Sequence, residues 1–266
     1  TGTIYDEDSQ TPTTDINAPG QSTPTDTLAD KPVVSITATD AVAVEGTTNN
    51  TLVFTVAQSN PSTQATDIVV TLNLGTVEAA DITSITYVDA TGATVTTTVA
   101  ALQAGLAMTI PATPDGSAPY SPVFTITTTQ DAIYEVSEAL TMNLALAAGE
   151  SDATLGTAQA TGTIFDESLV APSTNTDAPG GANPTDTLAD KPVVSITATD
   201  AAAVEGTTNS TLVFTVAQSN PSTQATDIVV TLNLGTVEAA DITSITYVNA
   251  AGATVTTTVA ALQAGL

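Results

Sequence analysis

Apolar and polar residues alternate along most of the middle of the chain. Residues 33–38, 51–57, 67–74, 85–88, 93–99, 123–128, 140–147 and 158–164 send successive side chains to opposite faces, the two-residue period of strands. The stretches from Leu52 to Val56 and from Ile68 to Leu72 are densest in apolar residues, which predicts central strands. Asn60-Pro61 and Ala90-Thr91-Gly92 supply turn chemistry. Residues 100–106 could close one helical turn, but the stretch is short and broken by Gly105, so it reads as a loop. Short strands separated by turn signals predict an all-β fold, an antiparallel β-sandwich.

The pattern then repeats. Residues 31–106 recur as 191–266, an offset of 160, with four changes: Val42 to Ala202, Asn50 to Ser210, Asp89 to Asn249 and Thr91 to Ala251. Residues 1–7 likewise recur at 161–167, apart from Tyr5 against Phe165. This predicts tandem repeats: 1–7 as the last strand of a preceding unit, 31–167 as a complete unit, and 191–266 as the N-terminal half of the next. Residues 8–30 and 168–190 are rich in Thr, Pro, Asp, Asn and Gly, carry no apolar period and differ more between copies, so they read as linkers of the semi-extended tether type. Pro32 and Pro192 suit the start of a strand or a sheet edge. The half unit is expected to be partly disordered in solution, with core faces and sheet edges uncovered.

Composition narrows the functional classes. The chain carries 28 acidic and 2 basic residues and a net charge of -26, which repels nucleic acid and anionic membrane surfaces. No apolar run is long enough to span a bilayer as a helix. With no His and no Cys, imidazole and thiolate catalysis and disulfides are unavailable. Glu135 and Glu138 could form a carboxylate pair for glycoside hydrolysis, but no Trp or aromatic cleft accompanies them, so no enzyme is expected. Aromatic residues make up 3% of the chain, which leaves Val, Ile, Leu and Ala to build the core. Tyr87, Tyr120 and Tyr134 are weak candidates for a sugar platform, and the Thr run at 94–99 for a flat hydroxyl array; ordinary packing explains both.

The acidic residues fall at strand ends. Asp131, Glu135 and Glu138 lie between two predicted strands, and Glu45, Asp81 and the Asp166-Glu167 pair occupy similar positions. Oxygen-only ligands of this kind suit a hard cation, and Ca²⁺ accepts six to eight of them in irregular geometry. Two unit charges about 5 Å apart repel by roughly 3 kcal/mol at an effective dielectric near 20, so such a cluster is costly without a counterion.

Val34-Ser35-Ile36, Asp40, Glu45-Gly46, Phe54-Thr55-Val56, Ala80-Asp81, the Asp-x-x-x-Glu-x-x-Glu run from Asp131 to Glu138, and Gly162-Thr163-Ile164-Phe165-Asp166-Glu167 follow the Calx-beta pattern. Residues 33–167 therefore resemble a Calx-beta domain, an immunoglobulin-like sandwich that binds Ca²⁺ at one end. By that resemblance the ligands are Glu45, Asp81, Asp131, Glu135, Glu138, Asp166 and Glu167, and Tyr134 takes a core position. Gln130 and Ala132 stand where the family often has further Asp, which implies fewer ions, about one or two. Residues 89–122 are longer than the usual hairpin and read as a decorative loop or a second contact surface.

Near-identical arrays of such domains resemble the extender regions of large secreted bacterial surface adhesins of the RTX and biofilm-associated kind. The resemblance implies a calcium-stabilised structural repeat at the bacterial cell surface, contacting neighbouring repeats and, through modules outside this stretch, a cell or abiotic surface. The rival expectation is an extracellular module that binds a glycan or protein through residues 89–122.

Overall fold

A computed structural model describes residues 31–46, 49–135, 137–166 and 192–266 of the chain. In the first copy eleven strands form: β1 Val33–Asp40, β2 Val42–Val44, β3 Thr51–Gln58, β4 Thr66–Asn73, β5 Ile82–Val88, β6 Thr94–Thr97, β7 Leu106–Ile110, β8 Val123–Thr128, β9 Glu138–Leu146, β10 Thr154–Leu155 and β11 Gln159–Phe165. A 3-10 turn, Ala79–Asp81, precedes β5, and helix α1, Val99–Ala104, joins β6 to β7.

The strands form two sheets, β10-β1-β3-β8-β5-β6 and β2-β11-β9-β4-β7. Pairing is antiparallel except where β10 meets β1 and where β2 meets β11. Val34, Ile36, Leu52, Phe54, Val56, Phe124 and Ile126 of the first sheet and Ile68, Val70, Leu140, Met142 and Ile164 of the second make the shared core. The alternation that predicted strands is thus the alternation that fills a β-sandwich, and β3 and β4 lie inside their sheets as expected. The inter-sheet gap is narrow where Gly162 faces β3: a Cβ there would come within 2.8 Å of Leu52 Cδ1 and 3.0 Å of Phe54 Cζ.

Three expectations are corrected. Residues 100–106 are not a loop. Thr98 caps α1, its Oγ1 accepting from the Ala101 amide at 3.1 Å, Leu102 is buried against the core, and Gly105 ends the helix at φ 100°. Residues 89–122 are not a decorative insertion either, because β6 and β7 complete the edges of the two sheets and Ile110 is buried. Tyr134 is not in the core: it lies half-buried outside the two sheets.

Tyr87 packs on Phe124 with centroids 5.5 Å apart, and Tyr120 packs against the core with its hydroxyl donating to the Val88 carbonyl, so these two rings serve packing.

The described residues divide into two units, one running to Thr223 and one from Gln224 to Leu266. In the second copy β12 Val194–Asp200 pairs with β13 Val213–Gln218 in the first unit, and β14 Ile245–Val248 with β15 Thr254–Thr257, followed by α2 Val259–Ala264, in the second. The pairing repeats that of β1 with β3 and β5 with β6, down to the bulge between Ala198 and Asp200. Yet Phe214 is 57% exposed where Phe54 is fully buried, and among the described residues β13 pairs with β12 alone. Among the described residues no helix is long and apolar enough to cross a membrane.

Candidate metal centre

The acidic residues meet at one end of the sandwich, and local chain chemistry puts them there. Glu78-Ala79-Ala80-Asp81 is a capping box: the Asp81 carboxylate accepts from the Glu78 amide at 2.6 Å, which turns the chain between β4 and β5. The β8–β9 loop is tied to that turn at both ends. At its start the Thr129 amide donates to the Asp81 carbonyl at 2.7 Å. At its far end the Ala139 amide donates to Thr76 Oγ1 at 2.9 Å and the Thr76 amide to the Ala139 carbonyl at 3.2 Å, so Glu138 enters β9 beside Asp81. Between them Asp131 closes a short turn by accepting from the Ile133 amide at 2.8 Å. The Glu135 amide donates to Asp166 Oδ2 at 2.8 Å, which binds the loop to the residue after β11.

The result is a compact group. Asp81, Glu135 and Glu138 each place a carboxylate oxygen within 4.8 Å of the others. Asp81 and Glu135 are buried and Glu138 is half-buried.

Burial, then the charges of Asp81, Asp131, Glu78 and Asp166, push the Glu135 carboxyl up to about 7. Burial, then the charges of Asp81 and Glu135, raise Glu138 to about 7 as well. Asp81 is raised chiefly by burial, against the hydrogen bonds from the Glu78 backbone and Glu138 that hold it down. Like charges crowded out of water at near-neutral pH leave two chemical outcomes: they take up protons, or they take up a cation.

No protein-family model matches the chain, and no curated protein matches it. Solved structures do. CBD12 from CALX1.2 is similar with a TM-score of 0.34 and 13% identity over 52% of this chain and 46% of that one. The apo form of the Calx CBD1 domain has a TM-score of 0.33 and 15% identity, over 52% of this chain and 98% of that one. A two-domain protein of unknown function from Bacteroides fragilis has a TM-score of 0.32 and 8% identity, over 51% of this chain and 46% of that one. The chain spans less than half the length of the first and third of these.

The seven residues singled out by sequence divide by position. Asp81, Glu135 and Glu138 come together. Asp166 is buried and holds the Glu135 amide, and Asp131 is exposed with its charge felt at Asp81 and Glu135. Glu45 is buried at the end of β2, its amide donating to the Phe165 carbonyl at 3.0 Å, but it is outside the three-carboxylate group. Glu167 lies outside the described residues.

One contributor escaped the sequence reading. Glu78 adds charge to all three clustered carboxyls, and its Glu-x-x-Asp spacing to Asp81 was the legible signal. The second copy separates turn from site: the Glu238 amide still donates to Asp241 Oδ2 at 3.0 Å, yet Asp241 is exposed. The turn is local; the burial comes from the β8–β9 loop and the strands around it.

Proposed function

We propose that the unit from residue 31 to 167 is a calcium-stabilised structural repeat, a spacer in an extracellular or bacterial cell-surface adhesin of the RTX or biofilm-associated kind. The observation that carries the calcium reading is the set of Asp81, Glu135 and Glu138 oxygens within 4.8 Å of one another, two of the three residues buried. Hard carboxylate oxygens without nitrogen or sulfur suit Ca²⁺. Asp81, Glu135 and Glu138 would hold the ion, with Asp131, Asp166 and Glu78 adding negative charge around it. The ion supplies a divalent counter-charge at the end of the sandwich.

An ion that binds the folded state alone stabilises it by about 2.7 kcal/mol at 100 times its dissociation constant. A unit of this kind folds more firmly in a calcium-rich exterior than in a calcium-poor cell interior, which suits a secreted array. The spacer part of the reading is supported by the near identity of the copies and the polar stretches between them. Thermal unfolding tests the reading: the midpoint should rise by several degrees from chelator to millimolar Ca²⁺, and equal midpoints would refute it.

A further inference from the structure

The exposed turn between β3 and β4 has a counterpart in the second copy, Ser219 to Thr223, and that counterpart touches the acidic loop of the first copy. The Tyr134 amide donates to the Pro221 carbonyl at 3.0 Å, and the Thr223 amide donates back to the Tyr134 carbonyl at 3.0 Å. Tyr134 and Ser222 thereby face each other as a parallel β-bridge. Asn220 Nδ2 adds a longer bond to the Ala132 carbonyl at 3.4 Å.

The same edge is available on a complete copy. In an extended segment successive backbone groups point to opposite sides. In the first copy Ser62 uses its inward side: its carbonyl accepts from the Thr113 amide at 2.7 Å and its amide donates to Thr113 Oγ1 at 3.2 Å. The Pro61 carbonyl and Thr63 amide, the groups that correspond to those of Pro221 and Thr223, belong to exposed residues and bond to nothing among the described residues. Completing the fold of a unit thus occupies one side of the turn and leaves the other outward.

We infer that successive copies dock in series, the β3–β4 turn of each adding a strand-like edge to the Ala132 to Tyr134 stretch of the copy before it. The partner is the next repeat of the same chain, recognised through backbone donors and acceptors of an Asn-Pro-Ser-Thr turn that is identical in both copies. Two or three hydrogen bonds exposed at their ends are weak between separate molecules. The covalent link between the copies makes the contact intramolecular, at a local concentration on the order of millimolar, which is what lets so small an edge hold. The docking stands independently of calcium, although it uses the same loop.

The chain contains no Cys, so two introduced ones label uniquely. Spin labels on Ala57→Cys and Ala217→Cys, the same exposed position in the two copies, report their separation in the whole chain. A narrow distance distribution that Thr223→Pro broadens is the expected result, because proline removes the amide that bonds Tyr134. Thr63→Pro, the same change on the first copy, should leave the distribution narrow. A broad distribution in the parent, or one that Thr223→Pro leaves unchanged, overturns the docking. Calorimetry with CaCl₂ on the same samples keeps the two readings apart. A chain that binds calcium with a broad distribution refutes the docking alone, and one that docks without binding calcium refutes the metal reading alone.

Discussion

Glu135 shows most directly how one side chain can couple folding to an ion. Its amide is spent on Asp166, its carboxylate is buried beside Asp81 and Glu138, and that carboxyl is raised to about 7. In the unfolded chain it titrates near 4.5. A folded value above the unfolded one means that the folded apo protein binds protons more tightly, so its stability falls as pH rises from about 4.5 to about 7 and levels off above. Glu138 acts in the same sense. The calcium-free unfolding midpoint should therefore drop between pH 5 and pH 8, and millimolar Ca²⁺ should abolish or reverse that drop; a flat apo profile would contradict the assignment. Glu135→Gln removes the charge and keeps the shape. Without calcium at pH 8 it should stabilise the fold by on the order of 1 kcal/mol after solvent screening, while calcium affinity falls on the order of tenfold or more.

At the scale of elements, the strands were legible and the short or capped pieces less so. Alternation marked β1, β3, β4, β8, β9 and β11 because each buries one face. The three-residue β2 and two-residue β10 pair by parallel edge contacts that leave no period to read. Helix α1 was missed for a different reason: six residues are too few to be stable by propensity, and the element exists because Leu102 is buried and Thr98 and Gly105 cap it. Leu102→Ala should accordingly cost about 2–5 kcal/mol in denaturant unfolding, whereas a change within a few tenths would return residues 99–104 to the status of a surface loop.

The acidic group was legible in its members and not in its geometry. Asp131, Glu135 and Glu138 are neighbours in sequence, but the approach of Asp81 depends on the Thr76–Ala139 clamp between β9 and the segment before the turn. Gly162→Ala probes the sandwich closure itself: a Cβ 2.8 Å from Leu52 Cδ1 overpacks the gap and should destabilise by about 1–3 kcal/mol.

For the molecule as a whole, the two copies are a built-in comparison. Identical residues are core in one and exposed in the other, and Asp81 is buried where Asp241 is not, so a complete set of strands is what turns scattered acidic residues into a charged end. With a net charge of -26, the chain is poised to respond to any cation, and a specific site must be told apart from diffuse screening. Calorimetric titration of Ca²⁺ into the whole chain at 0.15 M salt, beside Glu135→Gln and Glu138→Gln, makes that distinction most directly. Saturable binding at a small whole-number stoichiometry is expected, weakened by on the order of tenfold or more in both variants. Absence of saturable heat in the parent chain, or an isotherm that the substitutions leave unchanged, would contradict the calcium reading.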